Sequence, residues 1–187
     1  MLLKRLFLRY SICTLMNVLE LFEKITVFVF DIDGVLTDGM LLVQENGELL
    51  RRMNIKDGYA LQLAVRKRYK VWVISGGRSA AVKLRLANLG VTDVYIGVKD
   101  KRTLLEGLMN RYKVTAEQVL YMGDDMPDIE AMQIAGLPCC PQDAIPEVKQ
   151  VSRYIARQTG GAGCVREVIE KVLKIAGDWN EDDLPHR

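Results

Sequence analysis

Beyond residue 25, short apolar runs alternate with stretches whose apolar residues recur every three or four positions. The runs at residues 26–30, 71–75, 94–96, 119–122 and 136–139 have strand length. Helical periodicity fills residues 58–68, 79–89, 101–112, 126–135 and 164–176. Residues 115–118 read as a short helical turn with a capping box, leading into the fourth strand. Strands apolar on both faces and alternating with helices predict an α/β fold. Its centre is a doubly wound, Rossmann-like parallel sheet covered on both sides. Ligands of such sheets bind at the carboxyl ends of the strands, where the strand order reverses.

Residues 40–54 break the rhythm. They read as strand, turn, strand, with Glu45-Asn46-Gly47-Glu48 as the turn. Leu41, Val43, Leu49, Leu50 and Met53 make the ribbon apolar. A lone two-stranded ribbon is unstable, so it needs a partner surface from its own domain or from another chain.

Composition narrows the classes. A chain of 187 residues, 49% of them hydrophobic, is large enough for one domain with a full core and is not disordered throughout. With 26 basic and 24 acidic residues it lacks the charge of a general nucleic-acid binder. Cys13, Cys139, Cys140 and Cys164 show no C-x-x-C spacing and His186 is the single histidine, so no zinc site is expected. Reduced thiols and a cytoplasmic protein fit this usage. Lys4, Arg5 and Arg9 precede an uncharged stretch over residues 10–19, which weakly imitates a signal peptide. It lacks a small-x-small cleavage site and is too short to span a bilayer as a helix, so no membrane partner is expected. The reading is an N-terminal extension over 1–23 with Met16 as an alternative start, one domain over 24–177, and a tail over 178–187.

The strand ends carry the chemistry. The first strand stops in Asp31-Ile32-Asp33-Gly34. Carboxylates at i and i+2 of an extended segment share a face about 6–7 Å apart, with room for a phosphoryl-sized group. A bound cation would relieve their repulsion. Alone, D-x-D-G also fits a turn or a helix cap. The second strand ends in Ser75-Gly76-Gly77-Arg78, either an anion cradle at a helix start or ordinary turn chemistry. Lys99-Asp100-Lys101 opens the helix after the third strand and alone reads as a solvated face. The fourth strand ends in Gly123-Asp124-Asp125-Met126-Pro127-Asp128, and capping explains one of those carboxylates but not three.

Taken in order, D-x-D, Ser, Lys and G-D-D-x-x-D resemble the haloacid dehalogenase superfamily of phosphotransferases over about residues 26–140. The resemblance implies that Asp31 attacks phosphorus and that Asp33 serves as acid and then as base. It implies Mg²⁺ held by the Asp31 carboxylate, the Asp33 carbonyl and Asp124, supported by Asp125 and Asp128. Ser75, Gly76 and Lys101 would hold phosphoryl oxygens, with Lys101 also balancing Asp31. Neither the stretch from Asp33 to Ser75 nor that from Ser75 to Lys101 can form a cap domain, so the site should stand open. Residues 33–39 before the hairpin, 54–59, 123–128 and Gly160-Gly161-Ala162-Gly163-Cys164-Val165-Arg166-Glu167 are similar to one capless family. That family hydrolyses 3-deoxy-D-manno-octulosonate 8-phosphate on the way to an inner lipopolysaccharide sugar, and the similarity covers about residues 24–176. It implies a phosphorylated sugar acid as substrate and a homotetramer packed through the 40–54 hairpins. It also implies a C-terminal segment that can reach a neighbour's site. Arg78 and Arg166 are candidates to grip the sugar carboxylate, with the glycines of 160–163 as a flexible run. Alternatively, Arg166 is a solvated residue in the first turns of the last helix. Two other readings are a phosphatase for a nine-carbon keto-deoxy sugar acid 9-phosphate and a non-catalytic module related to acyl-sugar cytidylyltransferases. Asp31 and Asp33, both present, disfavour the last.

Overall fold

A computed structural model describes residues 17–179. Residues 10–16 of the signal-like stretch, among them Cys13 and Met16, and His186 lie outside the described residues, while its last two residues, Val18 and Leu19, open α1. Six strands form one parallel sheet: β1 (Val27–Phe30), β4 (Lys70–Ser75), β5 (Asp93–Ile96), β6 (Val119–Met122), β7 (Leu137–Cys140) and β8 (Tyr154–Ile155). Their order is β5-β4-β1-β6-β7-β8. From β1 the chain moves outward on one side through β4 and β5. It then returns across β1 to β6, so the strand order reverses between β1 and β6.

Alternation sorts the side chains of each strand between two cores. Phe28 and Phe30 share one face with Val71, Val73, Leu120 and Met122. That face is covered by α1 (Val18–Glu23), α2 (Ile55–Arg66), α3 (Ala80–Asn88) and α7 (Cys164–Ala176). Val27 and Val29 share the other face with Trp72, Ile74, Val119 and Tyr121. There α4 (Lys101–Tyr112), α5 (Ile129–Met132) and α6 (Pro146–Val151) pack. This three-layer, doubly wound α/β sheet is the expected fold. Among the described residues no helix is long and apolar enough to cross a membrane, and Cys139, Cys140 and Cys164 are free thiols.

The differences from expectation have local causes. β8 and α6 were not foreseen: β8 spans two residues, which is too short for periodicity to register. The expected helix over 126–135 splits into a 3-10 turn at Met126–Asp128, with Pro127 inside its start, followed by the four-residue α5. Helix α2 begins three residues early because the Asn54 side chain caps it, accepting from the Lys56 amide at 2.8 Å. The packed body also runs beyond the expected 24–177. Phe22 of α1 is fully buried, edge-on to Tyr154, and the Tyr69 hydroxyl donates to Asp178 at 2.9 Å.

The inserted hairpin forms its own two-stranded sheet from β2 (Leu42–Val43) and β3 (Leu49–Leu50). It does not fold back onto the core. Met40, Leu42 and Val43 are more than 60% exposed.

Candidate active site

β1 and β6 deliver the central carboxylates at the point where the strand order reverses. The Asp31 amide makes the last ladder contact, donating to Met122 O at 3.1 Å. The chain then leaves the sheet through a wide turn, in which the Thr37 amide donates to Ile32 O at 3.0 Å. The Thr37 hydroxyl fastens it, donating to Ile32 O and accepting from the Gly34 amide. Gly34 has φ +90°, and a Cβ there would lie 2.0 Å from Asp124 Oδ2. Only glycine lets this backbone lie against the carboxylate from the neighbouring strand. Asp31 and Asp33 do line one cleft. The turn brings them there, however, and the continuing extended segment expected from the sequence does not exist.

Asp31, Asp124 and Asp128 each place a carboxylate oxygen within 4.8 Å of the others. Lys101, the first residue of α4, is buried among them. Its Nζ is 2.7 Å from Asp128 Oδ1 and 3.0 Å from Asp31 Oδ1, the latter an ion pair not aligned for a hydrogen bond. Asp128 also accepts from the Tyr121 hydroxyl at 2.8 Å and from the Asp124 amide at 3.3 Å. Asp128 is therefore committed to holding Lys101, Tyr121 and the Asp124 backbone in place. Asp31 Oδ1 and Asp124 Oδ1 are buried with no hydrogen-bond partner.

The electrostatics follow from burial and like charge. Burial, then Asp128, pushes the Asp31 carboxyl up to about 6 against the pull of Lys101. Burial, then Asp31, Asp128 and Asp125, pushes Asp124 up to about 8. Burial disfavours the Lys101 ammonium, but Asp128 and Asp31 outweigh it and raise its pKa. One ammonium does not offset three clustered carboxylates. Hard oxygen donors with two orphaned atoms fit a divalent cation such as Mg²⁺. The orphaned atoms belong to Asp31 and Asp124, the two carboxylates that the family resemblance implies as metal ligands.

Asp33 is placed differently. Its carboxylate is gripped bidentately by Arg51, Nε to Oδ1 at 2.6 Å and Nη2 to Oδ2 at 3.2 Å. Its carboxylate is thus engaged by a cation from the hairpin and is not among the three clustered acids. Asp125 accepts from the Met126 amide at 2.8 Å and lies on the rim of the cleft. Ser75, buried at the end of β4, accepts from the Gly77 amide at 3.1 Å. With Gly76, Gly77 and Lys99 it forms the wall opposite the β6 loop, closing a cleft of about 460 Å³.

Neither candidate carboxylate-binding arginine lines this cleft. The Arg78 side chain lies over Gly97, where a Cβ would be 2.7 Å from its Nε. Arg166 lies over the rings of both Tyr59 and Trp179, at 5.7 and 5.2 Å, and pairs with Glu170 at 3.1 Å. It lines a separate cavity of about 470 Å³ with Arg157, Lys171 and Lys174, far in character from the acidic cleft. The glycines of 160–163 do not act as a hinge. A Cβ on Gly160 would lie 2.0 Å from Gly34 O, so the run is packed onto the Asp31–Thr37 loop. Val165, Val168, Ile169, Val172 and Leu173 of the following helix are core residues, so this segment cannot swing to a neighbour without unfolding.

Arg51, Tyr121, Thr37 and Asp57 are contributors that sequence spacing missed. Arg51 sits in the hairpin and Tyr121 inside an apolar strand, where nothing in the local pattern marks them. Thr37 and Asp57 did carry a signal, lying in the stretches 33–39 and 54–59 on which the resemblance rests.

Comparison with known proteins agrees with this geometry. Residues 87–168 match a family of haloacid dehalogenase-like hydrolases. The 3-deoxy-D-manno-octulosonate 8-phosphate phosphatase KdsC of Escherichia coli K12 is 35% identical over 159 residues, 85% of each chain. Among solved structures, the corresponding phosphatase of Moraxella catarrhalis, in complex with magnesium ion, phosphate ion and KDO, superposes with a TM-score of 0.82 at 34% identity. It covers 86% of this chain and 92% of that one. The Yersinia pestis phosphatase gives a TM-score of 0.83 at 32% identity, covering 86% and 87%. A hydrolase-type carboxylate cluster at the β1–β6 switch, with no room for a cap and with relatives matched along most of the chain, has one consistent explanation: the chain belongs to the haloacid dehalogenase-like hydrolases, in the family of 3-deoxy-D-manno-octulosonate 8-phosphate phosphatases.

Proposed function

We propose that this phosphatase hydrolyses 3-deoxy-D-manno-octulosonate 8-phosphate to the free sugar acid and phosphate, in the cytoplasm, in the synthesis of the inner lipopolysaccharide sugar. The observation that carries the chemistry is the cluster of Asp31, Asp124, Asp128 and Lys101 at the floor of an open cleft. The sugar specificity rests on the relatives.

In this reading an oxygen of Asp31 attacks phosphorus in line with the ester bond, forming an aspartyl-phosphate as the bond to the sugar oxygen breaks. Asp33, released from Arg51 and protonated, gives its proton to the departing sugar oxygen. As a carboxylate it then takes a proton from water, whose oxygen attacks phosphorus and frees Asp31. A Mg²⁺ ion held by Asp31, the Asp33 carbonyl and Asp124 supplies the positive charge that lets an anionic nucleophile meet an anionic phosphoryl group. Lys101 offsets Asp31 and faces the phosphoryl oxygens together with Ser75 and Gly76. Asp128 and Tyr121 fix Lys101 in that position, and Asp125 shapes the β6 loop.

The exposed hairpin supports assembly. Two strands with Met40, Leu42 and Val43 facing solvent would be covered in a homotetramer packed through residues 40–54. Light scattering checks this, with Val43→Glu expected to give smaller species.

The functional test is phosphate release from purified protein stripped with EDTA and then supplied with Mg²⁺. The substrates are the eight-carbon 8-phosphate, a nine-carbon keto-deoxy acid 9-phosphate and p-nitrophenyl phosphate. The 8-phosphate should give the highest kcat/KM by about tenfold or more. Preference for the nine-carbon substrate, or no Mg²⁺-dependent release from any of them, would overturn the proposal.

A further inference from the structure

The loop from Asp31 to Thr37 holds the nucleophile, the acid/base and the glycine that lies against Asp124. Its supports determine how well the site is aligned, and they come from segments more than a hundred residues away in the chain. The Gly160–Gly161 turn presses on the loop from behind. A Cβ at Gly160 would be 2.0 Å from Gly34 O, and one at Gly161 would be 2.6 Å from the Asp38 amide nitrogen. The contact is also bonded. The Gly161 amide donates to Val35 O at 3.0 Å, and the Cys164 thiol donates to the same oxygen at 3.3 Å.

The start of α2 holds this turn in place. Asn54 Nδ2 donates to Gly161 O at 3.2 Å. Asp57, 2% exposed, accepts from the Arg166 amide at 2.7 Å, in the first turn of α7. A buried carboxylate is an expensive way to join two helices, and an apolar pair would do so at lower cost. What a carboxylate adds is direction: it bonds one backbone amide at the positive end of α7 and fixes how that helix start lies against α2.

We infer that Asp57 is a positioning residue for phosphoryl transfer: through the Arg166 amide it sets the Gly160–Gly161 turn, and through that turn the Asp31–Thr37 loop. Asn54 is the second strut. This rests on the phosphatase reading above, because turnover is one of its two readouts.

The test compares Asp57→Ala, Asp57→Asn, Asn54→Asp and Val172→Ala with wild type. Asparagine keeps an oxygen that accepts from the Arg166 amide. Aspartate at position 54 keeps the α2 cap but removes the donor to Gly161 O. Val172 is buried in α7, away from the turn. With p-nitrophenyl phosphate and saturating Mg²⁺, Asp57→Ala should lower kcat per folded molecule about tenfold or more, with KM changed less than about threefold. Asp57→Asn should stay within about threefold of wild type, Asn54→Asp should fall between the two, and Val172→Ala should lower Tm but keep kcat. Hydrogen exchange of peptides spanning 31–39 is the second readout and does not depend on turnover. It should quicken in Asp57→Ala and Asn54→Asp but not in Asp57→Asn or Val172→Ala. If Asp57→Ala fails to fold, Asn54→Asp and Asp57→Asn still decide by both readouts. Unchanged exchange over 31–39 with unchanged kcat in the strut variants would overturn the inference. So would equal loss in Asp57→Asn and Asp57→Ala, or a fall in kcat for Val172→Ala matching theirs. An inactive wild type would defeat the phosphatase reading alone, and the exchange data would then decide the brace.

Discussion

Asp57 and the Asp31–Asp124–Asp128 cluster are both buried acidic positions, and burial raises carboxyl pKa values in both. Asp57 is pushed up to about 6, chiefly by burial, partly countered by the Arg166 amide and charge. Asp31 is pushed up by burial and then by Asp128, and Asp124 by burial and then by Asp31, Asp128 and Asp125. The environments differ in what surrounds the charge. Asp57 stands alone between two helix starts, and one of its oxygens is bonded to backbone. The cluster gathers three carboxylates around one lysine, opens onto a cleft and leaves an orphaned oxygen on each of two residues. A raised pKa therefore does not separate a supporting acid from a reacting one. Asp57 Oδ2 is itself buried without a partner, so an unsatisfied oxygen does not separate them either; several like charges converging on an open cleft do.

The comparison fails most directly if the cluster is dispensable. Asp31→Asn should lower kcat by at least about a thousandfold, read by phosphate release with a contamination control. The same variant should be more stable than wild type in EDTA at about pH 8. Its wild-type counterpart has a folded pKa raised from 3.8 to about 6, so that carboxyl costs stability as pH climbs through this range. Activity lost together with Tm lost would mean that Asp31 is chiefly structural.

Removal of residues 160–187 comes next in size. This deletion takes away both the brace and a core helix with five buried aliphatic side chains, Val165, Val168, Ile169, Val172 and Leu173. The truncated chain should fail to fold, seen as loss of cooperative unfolding by circular dichroism. A truncated protein that folds and only loses affinity for the sugar phosphate would restore the view of this segment as a mobile arm.

A smaller effect distinguishes the two acids by metal. Protons and cation compete for Asp31 and Asp124, whose pKa values lie at about 6 and about 8. The rise in Tm on adding Mg²⁺ should therefore grow between about pH 5 and pH 8. Asp57→Ala should keep that pH-dependent gain, while Asp124→Asn should lose most of it. Scanning fluorimetry gives both.

The smallest effect belongs to Asp57→Asn. The wild-type carboxyl is raised from 3.8 to about 6. It therefore contributes most favourably below about pH 4, and that contribution is lost as pH rises through about 6. The stability of Asp57→Asn relative to wild type should thus climb over that interval and then level off, by about 1–3 kcal/mol at most. A flat difference would mean that Asp57 is better solvated than its burial indicates.

Much of the cleft was legible in the chain because strand-end chemistry is local. Apolar runs located the strands, and the residues just after them were the acids, the hydroxyl and the lysine that the sheet then brought together. Arg51 was not legible, because its partner Asp33 is 18 residues away across a hairpin whose path no periodicity fixes. Arg166 was a candidate to reach the sugar carboxylate, beside a solvated place in the last helix, because glycines signal flexibility in a sequence. In the fold they signal close approach instead, with Gly160 packed on Gly34 O.

The sequence by itself determined the parallel sheet, the switch-point location and the acids gathered at the strand ends, since each depends on periodicity or on residues adjacent to a strand end. Tertiary structure alone decided which acids converge on the cleft, that Asp33 is held by Arg51, and that the last glycine run packs against the first loop. Those outcomes depend on contacts between segments far apart in the chain. Burial, like charge and steric fit arise there only after the layers have packed.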